Sequence, residues 1–160
     1  MRHRKRGRKL GVSPSHRKAM GRNMIQALID QERIVTTVEK AKQFQPLAEK
    51  IIHLGKSDSL HNVRRAVKLG GNRKLENEVV ATETSGEGKE KVTKTRSIAR
   101  TTVQKLFRDV GPRNKDRNGG YTRIIRMART RTGDNASQCI FELVESRAPD
   151  GEPYTKVEKK

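Results

Sequence analysis

The chain has 160 residues, which predicts one domain with appendages, and its 37 Lys and Arg against 18 Asp and Glu give a net charge of +19. This excess predicts a polyanionic partner, nucleic acid first, because the field of the protein concentrates phosphates around it. No run approaches the ~20 apolar residues of a membrane span, and the single Cys139 excludes an internal disulfide and indicates a reducing, cytosolic setting.

The chain begins with a basic arm, residues 1–12, that holds six Lys or Arg, no acid and little apolar surface. Such a segment repels itself and has nothing to bury, so we expect it to be disordered in the free protein. A helix follows in SPSHRKAMGRNMIQALIDQE, with Ser13 as N-cap and Pro14 at the first helical position. The β-branched run RIVTTV then predicts a strand.

Two further helices are predicted in the first half of the chain. One runs from about Glu39 to Leu54, with capping-box spacing from Thr36 to Glu39 and a kink expected at Pro46. The other runs from about Ser59 to Leu69, carries Leu60, Val63 and Val67 on one face, and ends at the Gly pair 70–71.

The second half begins with a polar segment, about residues 71–96, whose composition favours a mobile loop or a loose hairpin inserted into the fold. Helical spacing then returns from Ile98 to Val110, and Gly111 followed by Pro112 is expected to end that helix. Two β-rich runs, about 121–130 and 138–145, surround a turn and predict a hairpin.

These elements predict an α+β class: three or four helices packed on a small mixed sheet that contains the C-terminal hairpin and the RIVTTV strand. We divide the chain into the arm (1–12), one α+β domain (13–145) with the loop insertion at about 71–96, and a flexible tail (146–160).

No motif predicts catalysis, a cofactor or a metal site. The segment GEGKEK resembles a phosphate-binding loop, but Glu83 and Glu90 occupy positions that require Gly and Ser or Thr. The four His residues and Cys139 lack metal-ligand spacing, and Cys139 fits a small buried strand residue. We therefore expect no small-molecule substrate and no enzymatic activity.

The strongest chemical signal is the Arg-rich stretch GPRNKDRNGGYTRIIRMARTR, which suits forked contacts with phosphate. Its Gly pair permits close approach of an anion, and Tyr121 is placed to stack on a base or ribose. A solvated basic strand edge that prevents aggregation is the alternative interpretation. The residues expected to contact RNA are Arg2, His3, Arg4, Lys5, Arg6, Arg8, Lys9, His16, Arg17, Lys18, Arg22, Lys40, Lys42, Arg113, Arg117, Gly119, Gly120, Tyr121, Thr122, Arg123 and Arg126.

Several stretches resemble the bacterial-type ribosomal protein seventeen family of the large subunit. They are MRHRKRGRKL, PSHRKAMGRNM, IVTTVEKAK, LFRDVGPR, GGYTRI and GDNASQCIFELV, and they occur in the family's order. The resemblance implies an α+β structural protein of the cytoplasmic ribosome, without enzymatic activity, that binds and stabilises large-subunit ribosomal RNA near the exit tunnel and contacts neighbouring ribosomal proteins. Segments 71–96 and 146–160 depart from the family pattern. A DNA-architectural basic protein is the alternative function.

Overall fold

The first helix and strand form where capping and composition predict them. The computed structural model describes residues 7–75, 79–85, 92–98 and 100–145. Helix α1 spans Pro14–Gln31, and the Ser13 hydroxyl accepts a hydrogen bond from the His16 N–H at 3.4 Å, which confirms the predicted N-cap. Glu32 then adopts a left-handed conformation (φ 59°), and strand β1 spans Arg33–Thr37.

Helix α2 spans Val38–Gly55 and runs through Pro46 without a break. The predicted capping box is wrong, because the N-cap is Thr37 and its side chain makes no capping bond. Helix α3 spans Leu60–Gly70, with Ser59 accepting from the Asn62 N–H and Gly71 at positive φ beyond its end. Its Leu60 and Val67 are exposed, and the buried residues of α3 are Ala66 and Gly70, so the predicted apolar stripe does not face the core.

The polar insertion contains a hairpin of its own, which is one of the two structures, a mobile loop or a loose hairpin, that its composition favours. Strand β2, Val79–Ser85, pairs antiparallel with β3, Val92–Ile98, in a separate two-stranded sheet. At its base the Leu75 N–H donates to the Arg100 carbonyl at 2.7 Å, and Leu75 is buried. Residues 71–75 therefore pack with the domain, and the insertion begins at residue 76 and not at about residue 71.

The predicted helix from Ile98 to Val110 is wrong at both ends. Ile98 ends β3, helix α4 is Thr102–Lys105, a π-helical turn covers Leu106–Val110, and α5 is Gly111–Arg113. Gly111 remains helical (φ −60°, ψ −56°) instead of ending the helix. Its N–H donates to the Leu106 carbonyl, and Pro112 occupies a first-turn position where a missing N–H costs little.

The main sheet has three strands in the order β1-β5-β4, with β4 spanning Thr122–Thr130 and β5 spanning Ser137–Leu143. The predicted hairpin and its pairing with β1 are confirmed. Both pairings are antiparallel, so the sheet is not mixed.

The α+β class is confirmed by how the core is shared between helices and sheet. Ile25, Leu28 and Ile29 of α1 and Ile51 and Ile52 of α2 pack with residues from the π turn, β4 and β5. The fully buried Cys139 lies on β5 as predicted. Helix α2 contacts all three strands of the main sheet, so it fixes this sheet relative to the other helices.

Candidate nucleic-acid interface

Residues 8 and 9 of the arm join the starts of α1 and α2. The Arg8 N–H donates to Gln43 Oε1 on α2, and Arg17 Nη1 on α1 donates to the Lys9 carbonyl at 3.0 Å. The structure thus brings two sets of predicted RNA-contacting residues to one surface, which we call the arm-root surface. It consists of Arg8, Lys9, His16, Arg17, Lys18, Lys40 and Lys42.

Most side chains of the arm-root surface are exposed, and only Arg17 and Lys40 are half-buried. Arg22, farther along α1, is exposed and donates to the Lys68 carbonyl at 3.0 Å. Arg2, His3, Arg4, Lys5 and Arg6 lie outside the described residues.

Arg113 was expected to contact RNA, but its side chain is only 10 % exposed. Its Nη2 and Nη1 donate to the two carboxylate oxygens of Glu32 at 2.5 and 3.0 Å, and Nη1 also donates to the Glu145 carbonyl. The Lys105 ammonium lies 3.6 Å from the same Glu32 carboxylate. A buried acid beyond the end of α1 is thus neutralised from two sides, so Arg113 has a structural role that the sequence did not indicate, and its contact with RNA stays a prediction.

Tyr121 and Thr122 are also part of the core. Tyr121 is 2 % exposed, and its hydroxyl is hydrogen-bonded to His53 Nδ1 at 3.0 Å. The Glu49 carboxylate accepts from the N–H groups of Tyr121 and Thr122 and from the Thr122 hydroxyl, at 2.6–3.0 Å. This carboxylate holds the start of β4 against α2. The buried Tyr121 ring therefore offers no open face for the stacking on a base that the sequence led us to expect.

Arg123 lies in a row of charged side chains across the three strands. Glu142 on β5 is opposite Arg33 on β1 and opposite Arg123 on β4, and each Arg donates from Nε to one of its carboxylate oxygens. Glu142 is 1 % exposed, whereas the Arg123 side chain remains 55 % exposed. Arg117 similarly pairs with Glu145 at 2.9 Å while staying partly exposed. Arg117 and Arg123 thus carry a structural contact and still present surface to solvent.

The outer half of the β4–β5 hairpin is the most exposed part of the predicted site. From Ala128 to Asn135 every residue is exposed, and the β4–β5 register shifts between Arg126 and Thr130. The Arg126 and Arg129 side chains are exposed and make no hydrogen bond or ion pair to another described residue. Gly119 and Gly120 are exposed in the loop before β4, with open space around both and φ +64° at Gly120. We call Lys115, Gly119, Gly120, Arg126 and Arg129 the hairpin surface.

The turn of this hairpin is held by one local ion pair. Arg131 donates through Nε and Nη2 to the Asp134 carboxylate, which also accepts from the Ala136 N–H. The Arg131 hydrogen bonds lower the pKa of Asp134 to about 2, and the Asp134 carboxylate raises the pKa of Arg131. Arg131 is therefore matched by an acid, unlike Arg126 and Arg129.

Sequence reasoning missed the residues that position the site. Lys56 donates to the Arg117 carbonyl at 2.8 Å and lies 5.8 Å from the centre of the Tyr121 ring, which fixes the loop before β4. Glu32, Glu49 and Glu142 were not singled out, because Arg113, Tyr121 and Arg33, with which they pair, are 72 to 109 residues away in the chain. Position 142 gave one usable signal, since Glu142 is the one acid within the two strands of an Arg-rich hairpin, and a cation directly opposite it would stabilise the pair.

Other kinds of site find no support in the described part of the chain. No group of three or more His, Cys, Asp or Glu there is placed to hold a metal ion. Helices of the length and apolar character needed to cross a membrane are absent from these residues.

In this small α+β domain Glu32 and Glu142 bind Arg residues, while Arg126 and Arg129 and most cations of the arm-root surface face outward, which suits a basic protein that assembles with a polyanion. The family model described as ribosomal protein L17 matches residues 20–144. The large ribosomal subunit protein bL17 of Magnetococcus marinus is 43% identical over 149 residues, which cover 92% of this chain and 96% of the relative. That of Lactobacillus helveticus is 47% identical over 137 residues (86% and 98%), and that of Geobacter metallireducens 40% identical over 159 residues (99% and 74%).

The chain therefore belongs to the ribosomal protein L17 family, a family of structural rather than enzymatic proteins of the ribosome. This membership confirms the family identified from the sequence motifs.

Proposed function

We propose that this protein is a constituent of the large ribosomal subunit that binds and stabilises folded large-subunit ribosomal RNA. The observation that carries the proposal is the separation of paired from unpaired cations. Arg113, Arg123 and Arg131 are matched by Glu32, Glu142 and Asp134, whereas Arg126 and Arg129 face solvent and pair with no acid among the described residues. Unmatched, exposed Arg residues favour phosphate oxygens as ligands.

The two basic surfaces suit backbone recognition rather than base recognition. With Tyr121 buried, the hairpin surface offers guanidinium groups and open backbone at Gly119 and Gly120 and no described aromatic ring. Contacts of this kind recognise the shape and charge of folded RNA. Assembly into the large subunit, a position near the exit tunnel, neighbouring ribosomal proteins as partners and a cytoplasmic location follow by analogy with the relatives and the family resemblance.

The arm extends this interface. Residues 8 and 9 hold its end on the domain, so residues 1–6 start from a surface that already carries Lys18 and Lys42. Six residues reach about 20 Å when extended, enough to contact phosphates of a neighbouring RNA helix.

Assembly is tested by sedimenting the tagged full chain through a sucrose gradient, where we expect it with the large subunit. RNA binding is tested with a folded fragment of large-subunit RNA and a DNA duplex of equal length, each over a range of salt. The double variant Arg126→Gln, Arg129→Gln should reduce the slope of log K against log salt by about 0.7–0.9 for each lost phosphate contact.

The matched control is Lys50→Gln, Arg64→Gln, which removes the same charge from exposed helix positions outside both surfaces. An equal loss of slope in both double variants would show binding by net charge alone. Preference for the DNA duplex would instead support the DNA-architectural function.

A further inference from the structure

The two edges of the main sheet differ in how they are protected. The β4 edge carries Arg123, Arg126 and Arg129 and an irregular register, which are usual devices against pairing with another strand. The β1 edge has the uncharged sequence Ile-Val-Thr-Thr at positions 34–37, and Val35 there is 59 % exposed. The β1 edge is therefore open to another strand in a way that the β4 edge is not.

The backbone of Val35 is oriented for such pairing. The Leu143 N–H donates to the Glu32 carbonyl at 2.9 Å, so the hydrogen-bonded pairs of this ladder are Glu32 with Leu143, Ile34 with Phe141, and Thr36 with Cys139. Val35 alternates with them, and its N–H and C=O point away from β5. No strand in the described ranges pairs with that side of β1.

A groove of about 890 Å³ runs beside this edge between α1 and β1. On the α1 side Met20, Met24 and Ala27 contribute apolar surface, and Met side chains adapt to varied partners. Among the described residues the groove, hereafter the β1 groove, is lined by Ser15, His16, Ala19, Met20, Asn23, Met24, Ala27, Gln31, Ile34, Val35 and Thr36. None of them is Lys, Arg, Asp or Glu.

We propose that the β1 groove binds an extended, uncharged segment of a neighbouring large-subunit protein, which adds a strand beside β1 and places apolar side chains against Met20 and Met24. Main-chain hydrogen bonds to Val35 would provide affinity, and the groove would select apolar side chains at alternate positions. This inference rests on the proposed function, because it requires the protein to be assembled in the subunit.

Charge decides between the possible occupants. RNA is disfavoured because the described lining of the groove includes no Lys or Arg and only His16 from the arm-root surface, whereas both basic surfaces offer several. A second copy is disfavoured because two chains of net charge +19 repel one another. An uncharged protein segment meets neither obstacle.

The test uses large subunits purified with the tagged full chain, carrying a photo-reactive benzoylphenylalanine at Val35, at Asn23 in the groove, or at Arg129 on the hairpin surface. We expect the probes at 35 and 23 to cross-link to the same peptide of one ribosomal protein, identified by mass spectrometry, and the probe at 129 to RNA. Cross-links from 35 and 23 to RNA only, to a second copy or to nothing would overturn the inference.

Two substitutions keep the test specific. Val35→Lys should abolish the protein cross-link from position 23, because the charge blocks strand addition at the edge. Ile125 is an exposed apolar residue on β4, in the same cross-strand row as Val35. Ile125→Lys should therefore retain the protein cross-link from position 23. An undiminished cross-link in Val35→Lys would overturn the inference, and absence of the unmodified chain from subunits would overturn the proposed function itself.

Discussion

Gly111 lies so close to Gly55 that a Cβ atom on Gly111 would be 2.0 Å from the Gly55 carbonyl oxygen. The backbone of the π turn and α5 therefore packs directly on the end of α2. Alanine at position 111 would force these backbones apart, and we expect Gly111→Ala to lower the free energy of unfolding by at least about 2 kcal/mol. Urea denaturation of the full chain measures this change.

The control for this prediction is Gly119→Ala, because a Cβ on Gly119 meets no atom within 4 Å. Its stability should remain within about 0.5 kcal/mol of the unsubstituted protein. Equal effects of the two substitutions would contradict the proposed role of the glycine contact.

Arg113 and Arg126 should separate stability from RNA binding. Arg113→Gln removes the bidentate partner of the buried Glu32 carboxylate, so we expect a loss of about 2–4 kcal/mol. Arg126→Gln should change stability by less than about 0.5 kcal/mol. Thermal and urea unfolding without RNA measure both changes in stability. A larger loss of stability in Arg126→Gln than in Arg113→Gln would contradict the structural role of Arg113.

Cys139 should resist modification in the native protein. Burial raises the pKa of its thiol, and the carboxylate of Glu39 raises it further, so the neutral form persists. We expect a disulfide reagent to react at least about a hundredfold more slowly than in denaturant, because attack requires local opening. Since unfolding releases this proton, stability should also fall as pH rises above about 8.5.

A variant with the thiol moved two residues along β5 is the control for Cys139. In Ser137→Cys, Cys139→Ser the thiol occupies an exposed position of the same strand. It should react at nearly the rate of a free thiol. Slow reaction at both positions would show that the reagent, and not burial, limits the rate.

The arm should contribute to binding and stability through different residues. A chain that begins at Gly7 should keep its melting temperature and bind RNA with a smaller salt dependence, since four Lys or Arg are removed and those of the two basic surfaces remain. One that begins at Val12 should also melt slightly lower, because Gln43 and Arg17 lose their partners. Gln43→Ala in the full chain should reproduce that lower melting temperature without changing the salt dependence.

The insertion should be removable if the cut respects its base. Leu75 and Arg100 face each other in an antiparallel pair, so an Asn-Gly turn replacing residues 76–99 can connect them. We expect this shortened chain to fold and to enter large subunits. Joining Gly71 to Arg96 removes the buried Leu75 and should destabilise the domain, as thermal melting would show.

The helices were predictable where local signals agree. Ser13 before Pro14 and Gly70 with Gly71 mark the ends of α1 and α3, and the structure follows them. Gly111 with Pro112 gives the same signal of a helix end, but tertiary packing against Gly55 keeps that turn helical. A local pattern cannot distinguish a glycine needed for a turn from one needed for close packing.

The candidate site was predictable by segment and only partly by residue. The Arg-rich stretch contains the exposed Arg126, but the same stretch supplies Arg113 and Tyr121 to the interior. The difference depends on Glu32 and His53, which lie 81 and 68 residues away. Composition therefore located the basic strand, while the separation of paired from exposed cations required the three-dimensional contacts.

The position of β5 in the main sheet has a consequence for synthesis of the chain. Among the described strands, β5 is the last along the chain and the middle one in the sheet, and Arg33 meets Glu142 across 109 residues. Helices α1 to α3 can form early from local contacts, but among the described strands β1 has no partner in the main sheet until β5 has been made. Completion of the sheet thus waits for β5, and until β5 is in place β1 depends on α1 and α2 for cover.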